Sequence, residues 1–97
     1  MVVSPPKNWG KLMGTVSGTD GESTDPIQGA VVDITPTKGD GAGWALITDE
    51  AGRYAHWMVA GKYDTIAAKD GFRPQAKQAQ VKKGKDTVVN YTLRKIG

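Results

Sequence analysis

The sequence predicts an all-β fold, a seven-stranded antiparallel Greek-key β-sandwich. Three observations carry this. From Lys11 onward, short segments alternate apolar and polar side chains. Turn residues rich in Gly and Asp separate them at regular intervals. No stretch holds the 3.6-residue periodicity of a helix for long. At 97 residues the chain has room for one domain and one modest core.

The elements follow in order. Residues 1–10 read as a Pro-bearing linker, and the domain as residues 11–97. The first strand is Lys11 to Val16, with Leu12 and Val16 on one face because side chains alternate with period two. Ser17 to Gln28 reads as a polar loop. Ala30 to Thr35 is the second strand, with Ala30, Val32 and Ile34 inward and Val31 and Asp33 outward. Pro36 limits it, and Lys38 to Gly41 makes a turn.

Trp44 to Thr48 is the third strand. Asp49-Glu50-Ala51-Gly52 reads as a hairpin turn whose Gly suits a positive φ. Arg53 to Val59 is the fourth strand, and Ala60-Gly61 turns it into the fifth, Lys62 to Ala68. Lys69-Asp70-Gly71 turns again before the sixth, Gln75 to Lys82. Lys83 to Asp86 is expected to close a hairpin into the seventh, Thr87 to Leu93, with Val89, Tyr91 and Leu93 inward. Short connections favour antiparallel neighbours, and two packed sheets close seven strands economically.

Composition narrows the function. The chain has no Cys, which excludes disulfides, thiol catalysis and thiolate metal sites. No apolar run approaches the roughly 20 residues that span a bilayer, so membrane insertion is not expected. No charged segment followed by an apolar core marks a signal peptide at the amino terminus. Net charge is +3, unevenly spread: residues 1–68 hold 5 Lys or Arg against 8 Asp or Glu, residues 69–97 hold 8 against 2. Lys82, Lys83 and Lys85 cluster within the basic part. Read along the chain, no aromatic side chain is interleaved with them as a nucleic-acid stacking platform requires, so a solvated hairpin is expected and nucleic acid is not.

The single histidine, His56, sits mid-strand with no nucleophile or acid at motif spacing, and reads as structural. No catalytic residue, no cofactor and no enzymatic activity are expected. Too few His are present for zinc. Asp20, Glu22 and Asp25 in the first loop are hard oxygen donors suited to calcium, though their spacing is not that of an EF-hand and an ordinary solvated acidic loop is the favoured reading. Among the three tryptophans, Trp44 and Trp57 are the candidate contact residues. Tyr54, His56 and Met58 share one side of the fourth strand, and Ala55, Trp57 and Val59 the other. Both sides are apolar, so the strand is covered twice or its outer face is a contact patch.

Five motifs in order carry a resemblance: Gly14-Thr15-Val16, Pro26-Ile27-Gln28-Gly29-Ala30-Val31-Val32, Thr48-Asp49-Glu50-Ala51-Gly52-Arg53-Tyr54, Ala60-Gly61-Lys62-Tyr63 and Lys69-Asp70-Gly71-Phe72. Together they resemble the carboxypeptidase regulatory-like family, over residues 11–94. That resemblance implies a transthyretin- or prealbumin-like fold. Asp49 would accept backbone N–H groups in its own turn, and Tyr54 and Tyr63 would point inward with their hydroxyls at a rim.

The segments from Trp9 to Val16, Asp49 to Trp57 and Ile66 to Phe72 also look like the non-catalytic C-terminal domains of bacterial secreted subtilisin-family peptidases. This implies an extracellular accessory domain, monomeric by itself, with the neighbouring domains of its parent as partners. A carbohydrate-binding module using an exposed Trp is the alternative, with a polysaccharide or a protein surface as partner. Collagen-adhesin B-type pilin domains share the sandwich, and many form a Lys–Asn isopeptide bond. Asn90 lies in the last strand, but the first-strand Lys and the mid-domain Glu are missing from their places, so no crosslink is expected.

Overall fold

The computed structural model describes residues 8–37 and 43–96. It is built of β1 (Trp9–Thr19), β2 (Thr24–Pro26), β3 (Val31–Pro36), β4 (Trp44–Ile47), β5 (Arg53–Val59), β6 (Gly61–Ala68), β7 (Gln75–Val81), β8 (Asp86–Val88) and β9 (Tyr91–Arg94). Each of the seven strands expected from the sequence is present. The two further assignments are β2, a short pairing inside the first loop, and the break at Val89–Asn90 that divides the last strand. β1 takes in Trp9 and Gly10, which the sequence placed in the linker, and runs on to Thr19. The expected turn at Lys38 to Gly41 lies outside the described residues.

One sheet is organised around β1. β5 pairs antiparallel with its first part, from Trp9↔Val59 to Thr15↔Arg53, and β2 with its last residues. β8 and β9 pair with it in parallel, through Lys11↔Asp86 and Val16↔Tyr91 onward. The other sheet is antiparallel throughout, in the order β4-β3-β6-β7.

This topology corrects two turns. Asp49 to Gly52 does not close a hairpin, because β4 and β5 lie in different sheets. Lys83 to Asp86 likewise carries the chain from β7 in one sheet to β8 in the other. The local chemistry of the first turn is as expected: the Asp49 carboxylate accepts the N–H groups of Ala51 and Arg53, both at 2.9 Å, and Gly52 has φ 74°. A turn of that geometry reverses the chain but does not choose its partner strand. Closure of the sandwich chooses it.

The core lies between the sheets. Leu12, Val16, Val32, Ile34, Met58, Val81, Tyr91 and Leu93 are fully or almost fully buried. Each such side chain contributes about 1.5–3 kcal/mol of hydrophobic stabilisation. The inner face of β1 reads Gly10, Leu12, Gly14, Val16, Gly18, all buried, alternating small and large. The glycines admit close neighbours. A Cβ on Gly14 would stand 1.9 Å from the Val89 carbonyl oxygen, and one on Gly10 would stand 2.2 Å from that of Lys82. Among the described residues Thr37 Oγ1 is buried without a partner, but the polar groups at the centre of the core are paired. The Thr48 hydroxyl donates to the Ile27 carbonyl at 2.6 Å and accepts the Ala30 N–H at 2.9 Å. The Tyr91 hydroxyl meets Thr65 Oγ1 across the sandwich.

Candidate functional site

The pleat of β5 sorts its side chains as the alternation predicts. Tyr54 and Met58 are buried and His56 is half-buried, while Arg53, Ala55, Trp57 and Val59 face solvent. Trp57 is 41% exposed and Val59 42%. No strand covers this face among the described residues, so the doubly covered alternative does not hold.

Register extends the face across three strands. Residues paired directly across a sheet share a side. Val59 therefore stands beside Trp9, Trp57 beside Lys11 with Asp86 on the far side of Lys11, Ala55 beside Met13 with Val88 on the far side of Met13, and Arg53 beside Thr15. Val88 is 60% exposed. The Lys11 ammonium lies over the Trp57 ring, 5.9 Å from its centroid. A shallow cleft of about 440 Å³, lined among others by Met13, Thr15, Arg53, Ala55, Val88 and Asn90, continues the strip away from Trp57. The result is an open surface with an indole at one end, an apolar middle and polar side chains at the other.

The other sequence candidates fall elsewhere. Trp44 is half-buried and packs on the core at the seam of the two sheets, its ring 5.5 Å from His56 and 6.0 Å from Tyr63. It is separated from Trp57 by the thickness of the sheet. The acidic loop is spread out. Asp20 and Asp25 both line a cleft of about 330 Å³ that Lys95 and Phe72 also border, and Glu22 is not in that lining. The Asp20 carboxylate accepts the N–H groups of Glu22 at 2.9 Å and Ser23 at 3.0 Å. Those bonds, Ser23 foremost, hold its pKa below the ordinary value. Among the described residues no group of three or more His, Cys, Asp or Glu is placed to hold a metal ion.

Asn90 has an unexpected neighbourhood. Its side-chain oxygen accepts the N–H of Thr15 at 3.0 Å and its hydroxyl at 3.2 Å. A lysine does approach it, but from β7: Lys77 Nζ donates to the Asn90 backbone carbonyl at 2.5 Å.

The carboxypeptidase regulatory-like domain model matches residues 11–94, almost the whole folded unit. The chain belongs to that family. No curated protein sequence matches it. Solved structures share its fold at low identity. The Streptococcus agalactiae minor pilin GBS52 superposes with TM-score 0.72 and 19% identity, over 93% of this chain and 46% of the pilin. The Bacillus anthracis TIE protein gives TM-score 0.74 and 18% identity, over 92% of this chain and 17% of that protein. Catechol 1,2-dioxygenase from Acinetobacter sp. ADP1 gives 0.73 and 15%, over 96% and 54%. In these larger proteins the sandwich is only a part. Proteins that share so little sequence share the fold alone, and activity resides in sites rather than in folds.

What the sequence missed is the row Trp57–Lys11–Asp86. Its members come from three strands, and Asp86 is brought to Lys11 by a parallel pairing that short loops do not announce. Nor was the aromatic company of the lysine cluster visible along the chain. The loop bearing Lys82, Lys83 and Lys85 runs beside the start of β1: Gly84 N–H donates to the Trp9 carbonyl at 2.9 Å, and Lys11 N–H to the Lys85 carbonyl at 3.0 Å.

Proposed function

We propose that this carboxypeptidase regulatory-like sandwich is a non-catalytic accessory domain of a larger secreted protein, a subtilisin-family peptidase being the parent class, and that it docks through the outer face of β1, β5 and β8. One observation carries the reading: outward positions Ala55, Trp57 and Val59 of β5 are all apolar and all exposed. A solvated face normally places polar residues there. Exposed aromatic side chains are the usual anchors of an interface.

The test compares the isolated chain with its full-length parent, using acrylamide quenching of Trp57 fluorescence with Trp9 and Trp44 replaced by phenylalanine. Loss of quencher access in the parent supports docking. Equal access in both forms overturns it. Trp57→Ala serves as control, with an expected stability change within about 0.5 kcal/mol, as for surface sites. A loss of roughly 3–5 kcal/mol would instead assign the ring to the core.

A second reading is a carbohydrate-binding module. Trp57 favours it, since an indole standing on an open sheet face can stack on the C–H face of a sugar ring. Isothermal titration of the chain against a panel of soluble glycans tests it. No heat with any glycan removes it.

A further inference from the structure

The pole of the sandwich next to Trp57 is basic. Gly61 pairs with Val81 and Lys62 with Gln80, so Lys62 lies at the same end as Lys82, Lys83 and Lys85. Lys11 joins them through its backbone bond to Lys85. Lys62, Lys82, Lys83 and Lys85 are exposed. The one acid in the row is Asp86, beside Lys11. Trp9 and Trp57 stand at the edge of this pole, on the outer face.

We infer that this surface binds an acidic polysaccharide, a chain of carboxylate-bearing sugars, with one ring stacked on Trp57 and its carboxylates among the lysines. The inference rests on the carbohydrate reading and names its ligand class. Three complementary features meet in one row. The indole offers a flat apolar face, Lys11 a cation beside it, and Asp86 an acceptor for hydroxyl donors. Neighbouring strands lie about 4.8 Å apart, so the row spans roughly 10 Å, the scale of one or two sugar rings. The Lys82–Lys85 loop then supplies a field of one sign along which a polyanion is held.

Asp86 separates this ligand from a nucleic acid. A carboxylate at the far end of the row, beyond Lys11, accepts bonds from sugar hydroxyls, which a glycan carries on every ring. Its charge opposes carboxylates and phosphates alike, so the free hydroxyls, which the internal sugars of a DNA strand lack, make the distinction. A nucleic-acid strand also needs successive aromatic platforms, and here only Trp57 stands well exposed beside the half-buried Trp9.

The experiment titrates the full 97-residue chain with polygalacturonate, with the same polymer fully methyl-esterified, and with single-stranded oligothymidylate, at low and physiological salt. Binding is expected to polygalacturonate, to fall tenfold or more on esterification, and to fall as much in Trp57→Ala and in the triple variant Lys82→Gln, Lys83→Gln, Lys85→Gln. A thermal melt of each variant establishes that it is folded. The lysines are exposed, so the triple variant tests the idea even if Trp57→Ala proves unstable. Equal binding of both polymers overturns the acidic ligand and leaves the carbohydrate reading standing. Binding of neither overturns the inference, and the carbohydrate reading then stands or falls with the glycan panel. Tighter binding of the oligonucleotide, or binding of polygalacturonate that survives Trp57→Ala, overturns the inference in favour of unspecific attraction of polyanions.

Discussion

The phenol of Tyr54 donates a hydrogen bond to the backbone carbonyl of Val89 at 2.5 Å, passing over Gly14 to link β5 to the break between β8 and β9. Tyr54 and Val89 sit on opposite sides of β1, so this bond ties together the two edges of the sheet. Val89 is held from its other side as well, its N–H donating to the Met13 carbonyl at 2.8 Å. Tyr54→Phe keeps the ring and removes the donor. Leaving a buried carbonyl unpaired costs about 1–3 kcal/mol, and a urea melt should show a lower midpoint with an unchanged slope.

Tyr54 also predicts a pH dependence. Burial is the main cause that pushes its pKa far above that of a free phenol, with the neighbouring Tyr91 adding to it. Burial raises that of Tyr91 too. A raised acid pKa means that the unfolded chain loses its proton first. Stability is therefore unaffected below about pH 10 and falls above it, by about 1.4 kcal/mol per pH unit for each such tyrosine. Tyrosinate absorbance should appear together with the loss of β-sheet circular dichroism. Smooth ionisation of all three tyrosines before unfolding would contradict this.

The alternation of glycines along β1 predicts that Gly14→Ala is among the most damaging single changes. Its Cβ would meet the Val89 carbonyl oxygen at 1.9 Å, and backbone cannot step aside as a flexible side chain can. A loss of about 3 kcal/mol or more is expected, as for overpacked cores. Gly84→Ala offers a comparison with the opposite cause: nothing lies within 4 Å, but φ is 64°. There the cost is strain alone, about 1 kcal/mol.

The intact mass of the purified chain should equal the sequence mass. The Asn90 side chain is engaged by Thr15, and Lys77 Nζ reaches only the Asn90 backbone oxygen. No acid is among these contacts to carry the proton that an amine must shed before attack. A deficit of one ammonia would show that a crosslink forms.

Much of the fold was legible because it is local. The inward positions of Ala30, Val32 and Ile34 follow from period two, and their burial agrees. Tyr91 and Leu93 are buried as expected, and the hydroxyls of Tyr54 and Tyr63 both find rim carbonyls. Pairing was not legible. Asp49 to Gly52 looks the same whether it joins two strands of one sheet or crosses between sheets. The candidate site suffered from the same limit. The outward direction of Trp57 could be read from β5 alone, but Lys11 and, beyond it, Asp86 joined its row only through two registers, one of them parallel.

That parallel pairing has a mechanical meaning. β1 opens the folded unit and β9 closes it, and they run side by side in the same direction. Trp9 therefore lies at one pole, while Lys95, whose N–H donates to the Thr19 carbonyl at 2.9 Å, lies at the other. The distance along β1 between them is about 33 Å. In any longer polypeptide that carries the domain in series, tension would arrive at Trp9 and leave beyond Lys95. It would pull β1 and its partners β8 and β9 past each other lengthwise. Bonds loaded in this way resist together instead of opening one after another like a zipper, so the sandwich would act as a strut that yields late.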